Sequence, residues 1–282
     1  MADREDPVAW IGREQTRSDE IGTERARAMA ATLDLVDLDL TEGSPLPSLW
    51  HWLYFWDVAP RSRLGRDGHP ELGGFLPDLG DVRRMWAGSR VTFHQPLRVG
   101  DTATKTSRIT DVTEKEGRSG HLVFVTVRHE VAGSDGVAIT DEQSLVYREM
   151  SGPGRKPSEA PPDGAEFEGA NHVEHWNADP TLLFRYSALT FNGHRIHYDA
   201  PYAADVEGYP GLVVHGPLVA TLMAGAAERH QGAPLSHFAF RGLSPMIVDE
   251  SISIHVAQDA PGARLWVRGG NGRLITRGEA AW

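Results

Sequence analysis

The second half of the chain alternates apolar and polar residues in the manner of antiparallel strands. Between residues 250 and 257 every second residue is apolar (Ile252, Ile254 and Val256), which is the period-two pattern of a strand with one buried face. Further runs rich in β-branched and aromatic residues lie near 237–242, 263–268 and 273–281. This pattern predicts four strands after residue 237.

The middle of the first half carries the same kind of pattern. Apolar and β-branched residues fill segments 91–99, 102–112, 121–131 and 137–147, and glycine-containing turns at 116–120 and 133–136 separate the last three. Short strands with such regular punctuation are typical of an antiparallel meander. We therefore predict a second set of four strands here.

Three segments have the composition of helices. Residues 19–33 are rich in helix formers, and a short apolar helix is predicted over Leu49 to Phe55. Residues 217–230 are apolar on every side as far as Glu228, which predicts a buried helix. Pro217 suits the start of that helix and Gly232 its end. Residues 65–80 contain so many glycines and prolines that we predict a long irregular loop.

The order of these elements suggests a duplication. Residues 151–165 are rich in proline and glycine and are predicted to be a linker. A helix followed by a meander on each side of the linker predicts an α+β double hotdog, in which a curled antiparallel sheet surrounds a central helix twice. The expected domains are residues 1–150, a non-catalytic half that shapes a pocket, and residues 166–282, the half that carries the chemistry.

Composition narrows the class of protein. A chain of 282 residues with a net charge of −11 does not have the clustered basic residues of a nucleic-acid-binding surface. No apolar run approaches the roughly 20 residues of a membrane span, and the acidic N-terminus is unlike a targeting segment. We therefore expect a cytoplasmic protein without nucleic-acid or membrane partners. The absence of cysteine excludes disulfides and thiolate chemistry.

Candidate chemistry concentrates in two short segments. Asn192 and His197 lie five residues apart in a polar cluster with His194, and His215-Gly216 precedes the buried helix. A histidine exchanges protons near neutral pH, and the free N–H groups at a helix start stabilise negative charge. The two segments together can activate water and stabilise an oxygen that becomes negatively charged during a reaction.

Two rival chemistries fit less well. His194, His197 and His215 offer three nitrogens for a metal, but no helix signal places the first two on one face and no nearby acid repeats the known zinc patterns. The G-x-S-x-G elbow of serine hydrolases is absent from the sequence. We expect neither a metal nor a cofactor.

The residues 189–199 and 211–218 resemble the active-site signature of the MaoC-like, R-specific enoyl-thioester hydratases. The form is most similar to mitochondrial-type hydroxyacyl-thioester dehydratases and bacterial mesaconyl-CoA (3-methylfumaryl-CoA) hydratases. Segments 73–77 and 83–88 also resemble the first half of that subgroup. The resemblance implies a hydro-lyase acting on an acyl-CoA or an acyl carrier protein thioester, and a homodimer.

The resemblance also implies roles for individual residues. The family has an aspartate five residues before the histidine, and its oxyanion donor is the glycine of the His-Gly pair. These positions fall on Asn192, His197 and Gly216. Because an amide is not a base, His197 is expected to be the titrating group, with Asn192 aiming the water through its carbonyl oxygen. Asp199 is the alternative acid.

Basic residues suggest how a substrate anion is held. Arg195 stands where related hydratases usually have proline, and a guanidinium at that position is expected to bind a substrate carboxylate or a CoA phosphate. Such a contact favours mesaconyl- or itaconyl-type CoA esters. Arg83 and Arg84 are further anion-binding candidates, and His215 is counted with them as a substrate contact. The alternatives are a broader R-3-hydroxyacyl-thioester dehydratase and a non-catalytic acyl-CoA-binding hotdog protein.

Overall fold

The protein is described by a computed structural model covering residues 6–80, 82–117, 120–149, 167–259 and 261–282. Its ten strands are β1 (Glu14–Glu20), β2 (Val82–Phe93), β3 (Thr102–Gly117), β4 (Gly120–Gly133), β5 (Gly136–Glu149), β6 (His172–Asn177), β7 (His237–Gly242), β8 (Ser251–Asp259), β9 (Gly262–Gly269) and β10 (Leu274–Ala281). The helices are α1 (Thr23–Thr32), α2 (Pro180–Leu189) and α3 (Gly216–Gln231).

All ten strands form one antiparallel sheet whose order is symmetrical. The order is β1-β3-β4-β5-β2-β7-β10-β9-β8-β6, so each strand of the first half mirrors the strand five numbers later. The two halves meet where β2 pairs with β7, for example Val91 opposite Phe238. This symmetry confirms the α+β double-hotdog prediction. The predicted linker, residues 151–165, lies outside the described residues.

The second half of the sheet encloses α3. This helix packs against β2, β7, β8, β9 and β10, and nine of its residues are buried. Burial on every side is what its apolar composition predicts. The helix ends at Gly232, whose backbone is left-handed with φ of 73°, as expected for a C-terminal glycine.

The first half differs from the expected repeat because its described residues contain no helix of comparable length between α1 and β2. The predicted helix over Leu49 to Phe55 is a single 3₁₀ turn, Trp50–Leu53. Both Leu49 and Phe55 have positive φ (67° and 63°), a conformation that a right-handed helix does not contain. Residues 65–80 form the irregular loop that was predicted.

Several boundaries also differ from the prediction. The segment 19–33 is split, since residues up to Glu20 belong to β1 and the helix begins at Thr23. Strand β2 runs over Val82–Phe93 rather than 91–99, because the residues around Pro96 turn away from the sheet. Among the described residues, no helix is both long and apolar enough to cross a membrane.

Candidate active site

A cavity of about 550 Å³ lies between the two halves of the molecule. Strand β2 contributes Arg84 and Trp86 to its wall, and the second half contributes His197, Gly216 and Met246. The site therefore requires both halves. We call residues 190–200 the histidine loop; it runs from the end of α2 through the 3₁₀ turn Arg195–His197.

His197 lies on the cavity wall with a defined tautomer. Its Nδ1 donates a hydrogen bond to the carbonyl oxygen of Val213 at 2.7 Å; a carbonyl only accepts, so the Nε2 lone pair of the neutral ring is left for a ligand. Burial lowers the pKa of His197 to about 4. The ring is thus a neutral base at physiological pH.

His215 lies behind His197 and not on the cavity wall. The two rings stack with centroids 3.6 Å apart and planes at 19°, and Nε2 of His215 is 2.8 Å from Oγ of Ser187. Only 1% of His215 is exposed, so the structure favours a supporting role for this ring over the predicted contact with substrate. Burial, reinforced by the neighbouring His197 and His194, holds the pKa of His215 well below its usual range.

The stack also bears on the rival metal site. Lone pairs of imidazole nitrogens lie in the ring plane, so two nearly parallel stacked rings do not direct them at one ion. His194 meets His197 edge-on, with centroids 5.3 Å apart at 89°. The three histidines of the proposed metal set therefore lack converging donors.

Gly216 begins α3 at the cavity. His215 is the N-cap of the helix, and the N–H groups of its first turn have no intrahelical acceptor. A Cβ added at Gly216 would meet no protein atom within 4 Å, and the residue is not among those with positive φ. Neither packing nor backbone conformation requires glycine here, and the open space beside the helix start leaves room for a ligand.

Asn192 is positioned differently from the expectation. Its carbonyl oxygen accepts a hydrogen bond from the backbone N–H of His194 at 2.9 Å, which fixes the orientation of the amide. Within the described ranges its Nδ2 has no hydrogen-bond partner, and the residue lines the cavity. Asn192 therefore offers the cavity a donor in addition to the expected acceptor, which is the second lone pair of its carbonyl oxygen.

Arg195 and Asp199 are partners of each other, and the substrate contact expected of them stays a prediction. The guanidinium of Arg195 donates twice to Asp199 Oδ2, at 3.0 and 2.7 Å, and once to the carbonyl oxygen of Arg66 at 3.2 Å. It also covers the ring of Tyr202 at 4.1 Å. Neither charged residue lines the cavity. The two side chains form an ion pair with each other. Together they hold the histidine loop in shape.

Arg83 and Arg84 both line the cavity but differ in their partners. Arg83 forms an ion pair with the buried Glu207 and also donates to the carbonyl oxygen of that residue at 2.8 Å. Arg84 has no carboxylate partner among the described residues. Burial lowers the pKa of the His69 ring, and the nearby positive charge of Arg84 lowers it further. Arg84 also interacts with the hydroxyl of Tyr147, and it is a cavity cation that no carboxylate of the described residues neutralises.

The sequence analysis missed Asp67 and His69. Nδ1 of His69 donates to Asp67 Oδ2 at 2.8 Å, and the His69 ring lies 4.2 Å from that of His194 between centroids. Both residues belong to the loop 65–80, and His69 lines the same cavity as His197. The only sequence signal is an Asp-x-His spacing within a glycine-rich loop, which is weak by itself.

The chain is similar to known proteins over most of its length. Residues 49–248 match the model of the hydroxyacyl-thioester dehydratase type 2 family. The mesaconyl-C(4)-CoA hydratase of Chloroflexus aurantiacus is 48% identical over 243 residues, covering 86% of this chain and 85% of that protein. The mitochondrial hydroxyacyl-thioester dehydratase type 2 of Schizosaccharomyces pombe is 28% identical, with 77% and 79% covered.

Solved structures match the fold across nearly the whole chain. A MaoC-like dehydratase superposes with a TM-score of 0.72 at 15% identity, covering 98% of this chain and 99% of the other. A Mycobacterium tuberculosis protein described as a double hotdog superposes with a TM-score of 0.59 at 16% identity and 96% coverage of each. These structures show the shared fold, and the match of residues 49–248, more than half of the chain, shows that the chain belongs to the hydroxyacyl-thioester dehydratase type 2 family.

Proposed function

We propose that this protein adds water reversibly to a short 2-enoyl-CoA, and that its substrate is a branched dicarboxylic acyl-CoA of the mesaconyl (3-methylfumaryl) type. The observation that carries the proposal is that a neutral imidazole, His197, and the open helix start at Gly216 lie on the wall of one cavity. A base for water and a donor for an enolate oxygen are what the hydration of an enoyl thioester requires.

The reaction follows from these two groups. Nε2 of His197 takes a proton from water while the water oxygen bonds to the β-carbon of the substrate. The electron pair of the carbon–carbon double bond shifts towards the thioester, and the N–H of Gly216 stabilises the oxygen that becomes negative. The imidazolium then returns the proton to the α-carbon, and dehydration is the reverse. No proton is left over, since water supplies both the hydroxyl and the hydrogen.

The substrate class is supported by Arg84. In a 3-methylfumaryl thioester the free carboxylate is on the β-carbon, which is the carbon that water attacks. A cation that binds it must therefore lie near the water-activating groups. Arg84 lines the cavity without a carboxylate partner in the described part of the chain, and its charge reaches both His69 and His194. Arg83 also lines the cavity, but its charge is paired with the carboxylate of Glu207.

The size of the acyl group is limited by aromatic side chains. Trp86 and Tyr209 both line the cavity, and Trp86 is fixed by hydrogen bonds from its Nε1 to Gly88 O and Ser89 Oγ, each 3.1 Å long. Bulky fixed rings leave less length for a long acyl chain, which favours a short substrate. Trp86 belongs to β2, so we infer that the first half shapes the acyl pocket. The mesaconyl-C(4)-CoA hydratase relative supports the same substrate class.

A panel of CoA esters tests the proposal. Hydration removes the conjugated double bond, so the absorbance of the enoyl thioester falls as the reaction proceeds. We expect kcat/KM to be greatest for mesaconyl-C4-CoA and lower for crotonyl-CoA and longer enoyl-CoA esters. A preference for long chains would support the broader R-3-hydroxyacyl-thioester dehydratase, and binding without turnover would support a non-catalytic acyl-CoA-binding protein.

The cytoplasmic location and the homodimer stay predictions. Light scattering of the purified protein tests the dimer.

A further inference from the structure

We propose that Asp67 and His69, contributed by the first half, act in the reaction by positioning the attacking water, in the place of the family's aspartate. This inference rests on the proposed hydratase function. Asn192 occupies the aspartate position, and its carbonyl oxygen is already engaged with the His194 N–H. An amide oxygen that already accepts a backbone N–H is a weaker acceptor than the family's carboxylate, so a second acceptor from another part of the chain would hold the water more firmly.

His69 has the required chemistry. Its Nδ1 donates to Asp67 Oδ2 at 2.8 Å, and Asp67 Oδ1 accepts from the His69 backbone N–H at 3.0 Å. With Nδ1 carrying the hydrogen, Nε2 of the neutral ring is an acceptor, and the carboxylate increases its basicity. Among the described residues Nε2 of His69 has no hydrogen-bond partner.

The loop that carries this pair is fixed against the histidine loop. The backbone N–H of Arg195 donates to the carbonyl oxygen of Asp67 at 2.8 Å. Gly68 has φ of 88°, and an added Cβ there would overlap the carbonyl oxygen of Gly193. A Cβ added at Gly193 would lie 2.7 Å from the carbonyl oxygen of Gly68. The two backbones touch at two glycines, which holds His69 in the cavity.

Because His69, His197 and Asn192 line one cavity, we infer that a water held between them has a partner in each of its four directions. Its two hydrogens have two acceptors on the cavity wall, Nε2 of His197 and Nε2 of His69. One lone pair attacks the β-carbon, and Nδ2 of Asn192 is a donor for the other. His197 takes the transferred proton, whereas the hydrogen directed at His69 stays on the product hydroxyl. Burial, assisted by the charge of Arg84, lowers the pKa of His69 to about 4, so the ring is a neutral acceptor at physiological pH.

The test compares His69→Gln and Asp67→Asn with a matched pair elsewhere. His172 is also bonded to a carboxylate, with Nε2 3.0 Å from Glu174 Oε1, but it lies on β6 outside the cavity. We expect kcat for mesaconyl-C4-CoA to fall about 10–100-fold in His69→Gln with KM within about threefold. Asp67→Asn should give a smaller loss of kcat, and His172→Gln should leave kcat and KM unchanged.

Two further readouts separate chemistry from structure. ¹⁵N NMR of the histidine rings should show His69 protonated at Nδ1 in the wild type, and this measurement is independent of turnover. Added imidazole should restore part of the kcat of His69→Ala. The proposal is overturned if His69→Gln keeps kcat within about twofold of the wild type, or if His69 carries its proton on Nε2. It is also overturned if the fall in kcat is explained by partial unfolding, seen as a lowered thermal midpoint of the variant. If the wild type does not hydrate the ester although His69 carries its proton on Nδ1, the result counts against the hydratase function instead.

Discussion

The imidazole rings of His197 and His215 lie face to face with their centroids 3.6 Å apart. One ring faces the cavity and the other is sealed behind it. The buried ring is bonded to Ser187 of α2, and the outer ring is bonded to Val213. The ring of His197, which we propose as the base, is therefore fixed from the side away from the cavity, which leaves its Nε2 as the free end.

Gly216→Ala should change stability and activity in opposite directions. The added methyl group meets no protein atom within 4 Å, so the free energy of unfolding should be unchanged or should rise by about 0.4–1 kcal/mol. The same methyl group occupies the space that a thioester oxygen needs, so kcat/KM should fall by at least about 100-fold. Thermal or denaturant unfolding and the absorbance assay measure the two effects. A stable variant with normal turnover would remove Gly216 from the site.

Arg84→Gln should alter substrate preference. Because Arg84 is the cavity cation without a carboxylate partner in the described residues, we expect kcat/KM for mesaconyl-C4-CoA to fall about 10–1000-fold. Crotonyl-CoA has no second carboxylate, so its kcat/KM should change less than about threefold. Steady-state kinetics on the two esters measure the ratio.

Two other arginines are controls for that experiment. Arg90→Gln changes an exposed residue of β2 that is paired with Glu142, and it should affect neither substrate. Arg195→Gln breaks the bonds to Asp199 and should lower kcat/KM for both esters alike, since it loosens the histidine loop. A selective loss on mesaconyl-C4-CoA in Arg195→Gln, with none in Arg84→Gln, would contradict this assignment.

Gly68→Ala should separate the loop 65–80 from the histidine loop. Alanine at this position combines a left-handed φ of 88° with an overlap on the Gly193 carbonyl oxygen; we therefore expect a loss of about 1–3 kcal/mol in stability and a marked fall in kcat. Gly74→Ala is the matched control in the same loop, because its Cβ would meet nothing within 4 Å and its φ is not positive. Equal behaviour of the two variants would show that the contact is unimportant.

Acidification should destabilise the protein through its buried histidines. Burial lowers the folded-state pKa of His197 and His69 to about 4, whereas the unfolded value is about 6.5. Between those values the unfolded chain binds protons that the folded chain excludes, so the free energy of unfolding falls as the pH falls through this window. Each such histidine contributes about 1.4 kcal/mol per pH unit within it.

Denaturant titrations from pH 7 to pH 4.5 measure this slope. His197→Gln should reduce the slope by about one proton. His121 is a control whose effect has the opposite sign. Its hydrogen bond to Glu116 raises its pKa, so its contribution to stability is present at low pH. His121→Gln should therefore not reduce the slope. A stability that is flat with pH in the wild type would show that these rings are not buried as neutral groups.

The alternating and the all-apolar segments of the second half were predicted correctly from the sequence, whereas a polar edge strand and a short helix were missed. The alternation in 250–257 and the all-apolar 217–230 segment gave β8 and α3 nearly to their ends. Strand β1 was missed because it lies at an edge of the sheet and all seven of its residues are polar. Helix α2 was also missed, although Asp179 and Pro180 form a readable start, with Asp179 Oδ1 accepting the Leu182 N–H at 2.7 Å.

The site was predictable where its residues are neighbours in sequence. Asn192, His197 and Gly216 were found from two short motifs, and the structure places all three on one cavity. The contribution of His69 depends on a contact between residues 68 and 193, which no local pattern encodes. Arg195 was assigned to substrate because the sequence does not reveal that Asp199, one helical turn later, takes its guanidinium.

The most direct test is the loss of enoyl absorbance from mesaconyl-C4-CoA in the presence of the wild type, His197→Ala and His197→Gln. We expect the wild type to hydrate the ester and both variants to be slower by at least about 100-fold, with thermal midpoints near that of the wild type for His197→Gln. Near-normal turnover by a folded variant without the imidazole would contradict the account.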